Sequence, residues 1–308
     1  MFSVVFPGQG SQTVGMSHDF YTKYELFKKT FKEADEILNF KISKLILEGP
    51  KEDLDKTENT QPAIFLVSYC IFNLLKEKNE EIFTNAKYFA GHSLGEYTAL
   101  TCSGSLDFSD TLKILKKRGN AMQSAVPSGS GGMLAILNST YETIYNILED
   151  NKKDFECYIA NDNSNSQIVV SGFLESIDKL SSHLKTLKIK NLRIPVSSPF
   201  HCKLMNKATK LMEKEIKKLN FNDPKIPIVS NVTANTAQNS LDYSELMIKQ
   251  IEHRVRWRES IQFMAKNNVN KFIEIGPGKV LSNLIKRIDT NFETLNINSI
   301  DHLEEFKL

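Results

Sequence analysis

Short apolar segments alternate with longer amphipathic segments along most of this chain. The short segments are typical of buried strands, and the longer ones of helices with a buried face. The pattern predicts strands at Phe2–Phe6, Tyr88–Ala90 and Lys271–Ile275, and helices at Pro62–Leu75 and from Glu96 onward. Because strands that alternate with helices favour parallel pairing, we predict an α/β fold with a mainly parallel sheet.

The middle of the chain has a different order of elements, which follows a glycine-rich segment predicted as a hinge. The predicted order is strand, helix, strand, strand, helix, strand. The segments are Met133–Leu137, Tyr141–Leu148, Phe155–Ile159, Gln167–Val170, Leu174–Leu187 and Asn191–Val196, after the hinge at Gly129–Gly132. This β-α-β-β-α-β order is that of the split ferredoxin-like unit. We therefore expect residues 128–198 to form an inserted ferredoxin-like subdomain, and residues 1–127 and 199–308 to form the larger domain.

Composition narrows the class of protein. The chain has 308 residues, of which 41% are hydrophobic and 25% charged, as is usual for a soluble globular protein. The net charge of +2 gives no electrostatic reason to expect nucleic-acid binding. Four cysteines without CxxC spacing indicate free thiols and no metal motif. Since signal-peptide and membrane-span patterns are absent, we expect a cytoplasmic protein that does not bind membranes.

A candidate nucleophile lies in the segment Gly91-His92-Ser93-Leu94-Gly95. The pattern G-x-S-x-G marks a tight strand–turn–helix elbow that exposes a serine Oγ. Chance produces this pattern in about one chain in ten of this length, so an ordinary glycine-rich turn is an alternative. The predicted strand before it and helix after it favour Ser93 as a nucleophile. The N–H of Leu94 would then face a developing oxyanion.

A serine nucleophile needs a base, and the chain has six histidines. His201 follows a predicted strand and Pro199, in a loop before a helix predicted to begin near Lys203. Catalytic groups are common at such loop positions. A capping or core histidine is an equally good explanation of His201 when it is taken alone.

Two other polar residues could serve such a site. Gln12 lies in the loop Phe6–Gln12, which has two glycines but neither phosphate-binding nor dinucleotide-binding spacing. Its amide could donate to an oxyanion, although a plain turn is the more frequent explanation. Arg118 could bind a substrate carboxylate through its planar fork, although a surface arginine is the more frequent explanation.

Together the motifs resemble those of the malonyl-CoA:acyl-carrier-protein transacylases over nearly the whole chain. The matching segments, in order, are Phe6–Met16, Gln61–Ala63, Gly91–Tyr97, Arg118–Gln123, Ala160–Gly172, Pro199–Cys202, Val255–Trp257 and Glu274–Leu281. The resemblance implies an α/β-hydrolase-like core with a ferredoxin-like insert. It also implies transfer of malonyl from malonyl-CoA to the phosphopantetheine thiol of acyl carrier protein, through a malonyl-serine ester, for fatty-acid synthesis.

The resemblance assigns catalytic roles to five positions. Ser93 matches the nucleophile and His201 the base. The main-chain carbonyl of Gln250 matches the group that orients the base. Gln12 and the Leu94 amide match the donors of the oxyanion hole.

Substrate-binding positions follow from the same resemblance. Arg118 matches the residue that pairs with the free malonyl carboxylate, and Phe200 resembles the residue of malonyl-selective members. Met122, in the Arg118–Gln123 segment, is expected to contact the substrate. No metal or further cofactor is implied, and we expect a monomer. Arg254 stands where the family often has proline, in the loop after Gln250.

Two other classes of protein are compatible with the residues. A serine hydrolase would need an acidic triad member between Ser93 and His201, where Asp154 and Asp162 lie, and it would not need Arg118. A non-catalytic module that docks a carrier protein would tolerate the loss of Ser93.

Overall fold

The structure is a computed structural model that describes residues 1–127, 129–196, 198–237 and 239–307, without the side chains of residues 82 and 83. The strands are β1 (Phe2–Phe6), β2 (Phe89–Gly91), β3 (Gly131–Leu137), β4 (Cys157–Ser164), β5 (Gln167–Phe173), β6 (Asn191–Ile194), β7 (Ile228–Val229), β8 (Lys271–Ile275) and β9 (Glu293–Ile297). The helices of the first half are α1 (His18–Lys23), α2 (Glu25–Leu38), α3 (Ile42–Glu48), α4 (Lys51–Leu54), α5 (Thr57–Lys78), α6 (Glu81–Asn85), α7 (Leu94–Cys102) and α8 (Phe108–Gln123). Those of the second half are α9 (Tyr141–Asp150), α10 (Leu174–Thr186), α11 (Asn206–Ile216), α12 (Ser240–Gln250), α13 (Trp257–Lys266), α14 (Val280–Ile288) and α15 (Ile300–Glu305), with a 3-10 turn at Lys203–Met205.

The larger sheet is parallel throughout and has the strand order β7-β2-β1-β8-β9. Its central strand β1 is buried on both faces. Val4 and Phe6 pack into the apolar cluster that contains α5, α7 and α8, whereas Val5 packs into the cluster that contains α13 and α14. Because the strands are parallel, the loops after β1, β2 and β8 leave from the same edge. These loops carry Pro7–Gly10, the predicted elbow, and the segment Gly276–Lys279.

The smaller sheet is antiparallel and has the order β4-β5-β3-β6. One face packs against α9 and α10, with residues such as Leu134, Ile136 and Val170 in a separate apolar cluster. The alternate side chains on the other face, among them Met133 and Val169, face a cavity that the larger sheet also borders. The two sheets therefore enclose a space between them.

Backbone hydrogen bonds and an ion pair join the smaller sheet to α13, which packs on the larger sheet. The Val255 N–H donates to Ala160 O (2.8 Å), and the Asp162 N–H donates to Val255 O (2.9 Å). Arg258, on α13, donates twice to the buried carboxylate of Asp162, at 2.9 and 2.8 Å. This two-pronged pairing fixes β4 against α13, because both donors and both oxygens must stay in one plane.

The predicted elements agree with the structure in type and order, and the differences have local causes. Strands Phe2–Phe6 and Lys271–Ile275 are found residue for residue. The predicted hinge glycines Gly131 and Gly132 belong instead to β3. A Cβ on Gly131 would lie 2.3 Å from Pro199 Cδ, so glycine is needed there for close packing rather than for flexibility. The predicted subdomain and domain ends at residues 128 and 308 lie outside the described residues.

The fold is thus a mixed α/β arrangement of one parallel sheet and one separate antiparallel sheet. In the part of the chain that the structure describes, no helix combines the length and the apolar character needed to cross a bilayer.

Candidate active site

Ser93 lies at a sharp turn between β2 and α7. Its backbone has φ 54° and ψ −110°, a region that residues with side chains rarely adopt. A Cβ on Gly91 would lie 1.9 Å from the Gly95 carbonyl, and one on Gly95 would lie 2.3 Å from Phe6 O. Both glycines are therefore required by contact between backbones. The predicted elbow is present, and the alternative of an ordinary turn is wrong.

His201 is brought to Ser93 by the loop between β6 and the 3-10 turn. Its Nε2 lies 2.8 Å from Ser93 Oγ, and its Nδ1 lies 2.8 Å from the main-chain oxygen of Gln250. A carbonyl oxygen only accepts, so Nδ1 carries the ring proton and Nε2 is left to accept the Ser93 O–H. This is the protonation pattern of a base poised to deprotonate a serine.

The structure does not supply the acidic triad member that a serine hydrolase would use. Asp162 is bound to Arg258, and the amide of Asp154 bonds to Asn151 at the end of α9. Within the described ranges, neither carboxylate contacts His201. The carbonyl of Gln250 occupies the position of a triad acid.

Close packing of two helices places Arg118 inside the protein. A Cβ on Gly119 would lie 2.4 Å from Glu58 Cα, so glycine lets α8 approach the start of α5. The neighbouring Arg118 is completely buried, and its Nη1 donates to Gln61 Oε1 at 2.8 Å. The alternative of a surface arginine is therefore wrong. Sequence reasoning gave Gln61 no role, although it lies in one of the matching segments.

The guanidinium of Arg118 reaches the nucleophile. Its Nη2 donates to Ser93 Oγ at 3.2 Å and to Gln250 Oε1 at 2.8 Å. Among the described residues, no aspartate or glutamate forms a salt bridge with Arg118. Glu96 acts on this buried cation through space but forms no hydrogen bond with it, so the position is suited to a ligand carboxylate that pairs with Arg118 directly.

Gln250, at the end of α12, forms hydrogen bonds with Ser93, His201 and Arg118. In addition to its bonds with His201 and Arg118, its Nε2 donates to Ser93 O (2.9 Å) and to Glu96 Oε2 (2.7 Å). Gln250 is completely buried. The family resemblance implies a role for its main-chain carbonyl but none for its side chain.

Arg254 holds the loop that follows Gln250. Its guanidinium lies 4.3 Å from the centre of the Tyr141 ring, and its Nη2 donates to Glu259 Oε1 at 2.9 Å. Tyr141 belongs to α9 beside the antiparallel sheet. Arg254, which stands where the family often has proline, thus connects its loop to α9 and to α13.

The site opens into a cavity of about 330 Å³ between the two sheets. Leu94, Met122 and Phe200 line it together with Ser93, Arg118 and His201. Asn161, Asn163 and Gln167 contribute polar groups to its lining, whereas Met133, Val169 and Leu281 are among its apolar lining residues.

The prediction for Gln12 needs correction. Its Oε1 accepts from Gly10 N (2.8 Å) and its Nε2 donates to Asp55 Oδ1 (2.9 Å), so the side chain is turned back onto its own loop. Gln12 does not line the cavity, whereas Gln9 in the same loop does. A Cβ on Gly8 would lie 2.6 Å from His92 O, which explains how this loop packs against the elbow.

Burial controls the protonation of the site. Burial lowers the pKa of His201 to about 3, and the Arg118 cation acts in the same direction. Burial also lowers the pKa of His92 to about 4, so both imidazoles are neutral near pH 7. Burial raises the pKa of Glu96 to about 7. In the described parts of the chain, no His, Cys, Asp and Glu side chains cluster in a way that could hold a metal ion.

Comparison with known proteins identifies the class. A family model described as the acyl transferase domain matches residues 3–299. A malonyl CoA-acyl carrier protein transacylase of Haemophilus influenzae is 37% identical over 309 residues, covering 99% of this chain and 98% of the relative. The crystal structure of an acyl-carrier-protein S-malonyltransferase from Bartonella henselae has a TM-score of 0.95 and 35% identity, covering 98% of this chain and 97% of that one.

A third comparison includes a carrier protein. A malonyl-transacylase solved in complex with a type II polyketide acyl-carrier protein has a TM-score of 0.94 and 34% identity, and covers 98% of this chain and 97% of that one. The fold and the matches together define an acyltransferase. Within that class, this chain belongs to the family of the malonyl-CoA:acyl-carrier-protein transacylases.

Proposed function

We propose that this protein transfers malonyl from malonyl-CoA to the phosphopantetheine thiol of acyl carrier protein through an ester on Ser93. The observation that carries the proposal is the buried guanidinium of Arg118, which lies 3.2 Å from Ser93 Oγ and forms no salt bridge with an aspartate or glutamate of the described residues. A three-carbon diacid unit attached at Ser93 would bring its free carboxylate to this cation. The product would supply fatty-acid synthesis.

In the first half-reaction, Ser93 Oγ attacks the thioester carbonyl while His201 Nε2 takes the hydroxyl proton. The tetrahedral intermediate collapses by breaking the carbon–sulfur bond, and the departing sulfur of coenzyme A receives the proton from His201. The result is a malonyl ester on Ser93. In the second half-reaction the carrier thiol gives its proton to His201 and attacks the ester, and Ser93 leaves with that proton.

Two backbone features suit the negative charge that develops on the carbonyl oxygen. Leu94 is the first residue of α7, so its N–H has no partner within the helix and lies at the positive end of the helix dipole. Gln9 borders the same cavity and replaces Gln12 as the candidate second donor. Donors fixed in advance around an oxyanion are commonly the largest contribution to such catalysis.

Selectivity follows from the cost of leaving Arg118 unpaired. A malonyl carboxylate would accept two parallel hydrogen bonds from its fork, whereas an acetyl group would occupy the site without compensating the charge. Phe200 and Met122 would restrict the space beside the acyl chain. Exclusion of water by these walls would protect the ester from hydrolysis.

The finer architecture and setting are part of the same proposal. The parallel sheet with its elbow supports an α/β-hydrolase-like core, and the antiparallel sheet with α9 and α10 supports a ferredoxin-like insert over residues 128–198. We propose that the enzyme is a cytoplasmic monomer that needs no cofactor or metal beyond its two substrates.

Replacement of Arg118 tests this function. We expect Arg118→Ala to lower the preference for malonyl-CoA over acetyl-CoA, measured as the ratio of kcat/KM values, by about 100-fold, because a close buried charge pair is worth about 2–5 kcal/mol. The control is Lys117→Ala on the same helix, whose exposed side chain pairs with Glu215. An unchanged ratio in Arg118→Ala would remove Arg118 from substrate recognition.

A further inference from the structure

Glu96 is a buried carboxylate that the proposed mechanism does not use. It is the third residue of α7, one helical turn after Ser93, and its side chain is completely buried. Its Oε2 accepts from Gln250 Nε2 at 2.7 Å and from Asn231 N at 3.2 Å. None of the salt bridges found among the described residues involves Glu96. A buried carboxylate held in this way calls for an explanation.

The carboxylate determines which way the Gln250 amide faces. Both hydrogens of Gln250 Nε2 are donated, one to Ser93 O and one to Glu96 Oε2. Glu96 Oε2 already accepts the main-chain N–H of Asn231, so this oxygen acts as an acceptor and the NH2 end of the amide must face it. The oxygen end must then face Arg118, whose Nη2 donates to it at 2.8 Å. A reversed amide would set two donors against each other at the Arg118 end and two acceptors against each other at the Glu96 end.

The same carboxylate also stabilises the elbow, through its hydrogen bond with Asn231. Asn231, whose N–H donates to Glu96, accepts from Ser93 N (2.8 Å) and donates to Gly91 O (2.7 Å) through its side chain. Glu96 is therefore bonded to the two residues that hold Ser93 and Arg118 in place. It contacts neither the Ser93 hydroxyl nor the guanidinium directly.

We propose that Glu96 is a positioning residue for substrate selection, which orients the Gln250 amide so that Arg118 is held where a malonyl carboxylate binds. This inference rests on the proposed malonyl transfer and extends it from Arg118 to the carboxylate behind it. The main-chain carbonyl of Gln250 orients His201 independently of the amide. Loss of Glu96 should consequently affect malonyl recognition more than the chemistry at Ser93.

The test is the nearly isosteric substitution Glu96→Gln. Its new amide can donate as well as accept, so the Gln250 amide is free to reverse and present its NH2 to Arg118. We expect the malonyl-CoA over acetyl-CoA ratio of kcat/KM values to fall by about tenfold or more, the range for a lost hydrogen bond to a charged group. Acetyl transfer itself should change little. Asp35→Asn is the matched control, because Asp35 is a buried carboxylate that binds Ser43 in the α2–α3 region.

A second variant separates positioning from general stability. Gln250→Met keeps the main-chain carbonyl and removes the amide, so it should lower the same ratio about as much as Glu96→Gln. The double variant should lose little more than either single one, because both changes break one chain of contacts. If Glu96→Gln does not fold, the ratio in Gln250→Met alone tests the link, and an unchanged ratio there overturns the proposal.

Three outcomes with folded variants would overturn the proposal. They are a Glu96→Gln ratio within twofold of the parent, a fully additive double variant, and an equal loss in Asp35→Asn. Failure of the proposed function is distinguishable from these outcomes, since the parent enzyme would then show no malonyl preference that depends on Arg118.

Discussion

The site residues owe their chemical character to burial. His201 sits between the carbonyl of Gln250 and the hydroxyl of Ser93, with the Arg118 cation bonded to both partner residues. Burial and this cation lower the pKa of His201 to about 3, so the imidazole is neutral and available as a base throughout the neutral range. A carboxylate that pairs with Arg118 would offset the cation and make His201 a stronger base only when malonyl is present.

We predict that His201 and His92 do not titrate between pH 8 and pH 5 in the free enzyme. Their folded pKa values, about 3 and about 4, lie below the usual value of 6.5. The unfolded chain therefore binds protons first, and these residues reduce the stability of the fold as the pH falls from about 6.5 toward 4. NMR of labelled histidine rings, with His201→Asn for assignment, measures this directly. A His201 midpoint near 6.5 would contradict the prediction.

Each functional group lies at the end of a helix or at a place where two helices pack closely together. Ser93 precedes α7, Gln250 ends α12, and Arg118 is carried inward where Gly119 lets α8 contact α5. The position of the Gln250 carbonyl depends on the loop between α12 and α13. Arg254 ties that loop to Tyr141 of α9 and to Glu259.

We expect Arg254→Ala and Tyr141→Leu each to slow acylation of Ser93 by about threefold to tenfold, because a partly desolvated cation–π contact is worth about 0.5–2 kcal/mol. Tyr141→Phe keeps the ring but loses the hydrogen bond that the Tyr141 hydroxyl accepts from Arg254 Nη1, so its rate should fall between those of the parent and Tyr141→Leu. The exposed Lys249→Ala on α12 serves as the control. Single-turnover rates with malonyl-CoA measure the effect, and parent-like rates in both Arg254→Ala and Tyr141→Leu would show that the loop does not need this contact.

The cavity exists because the two sheets face each other across it. Two connections hold the sheets together: the Asp162–Arg258 pair and the backbone bonds at Val255. They lie next to Asn161 and Asn163, which line the cavity. A site divided in this way combines residues from distant parts of the sequence. Ser93 and Gln250, for example, are 157 residues apart.

This separation explains what the sequence could and could not predict. The elbow was predictable because Gly91, Ser93 and Gly95 are close together in the sequence, and β1 and β8 were predictable because they are short, mainly apolar segments that end at glycine-rich turns. Two short or partly exposed strands, β7 and β9, lack such a pattern. Gln9 and Gln12 lie in one loop, and only the contact of Gln12 with Asp55 decides between them. Nothing local to Glu96 reveals that its partner is Gln250.

We propose that Ser93 carries the malonyl group between two thiols. Intact-mass measurement after mixing with malonyl-CoA, followed by addition of phosphopantetheinylated carrier protein, tests this transfer. We predict a malonyl adduct on the parent enzyme and none on Ser93→Ala, with the adduct discharged by the carrier much faster than by water. An adduct that persists in Ser93→Ala, or one that water discharges as fast as the carrier does, would contradict the claim.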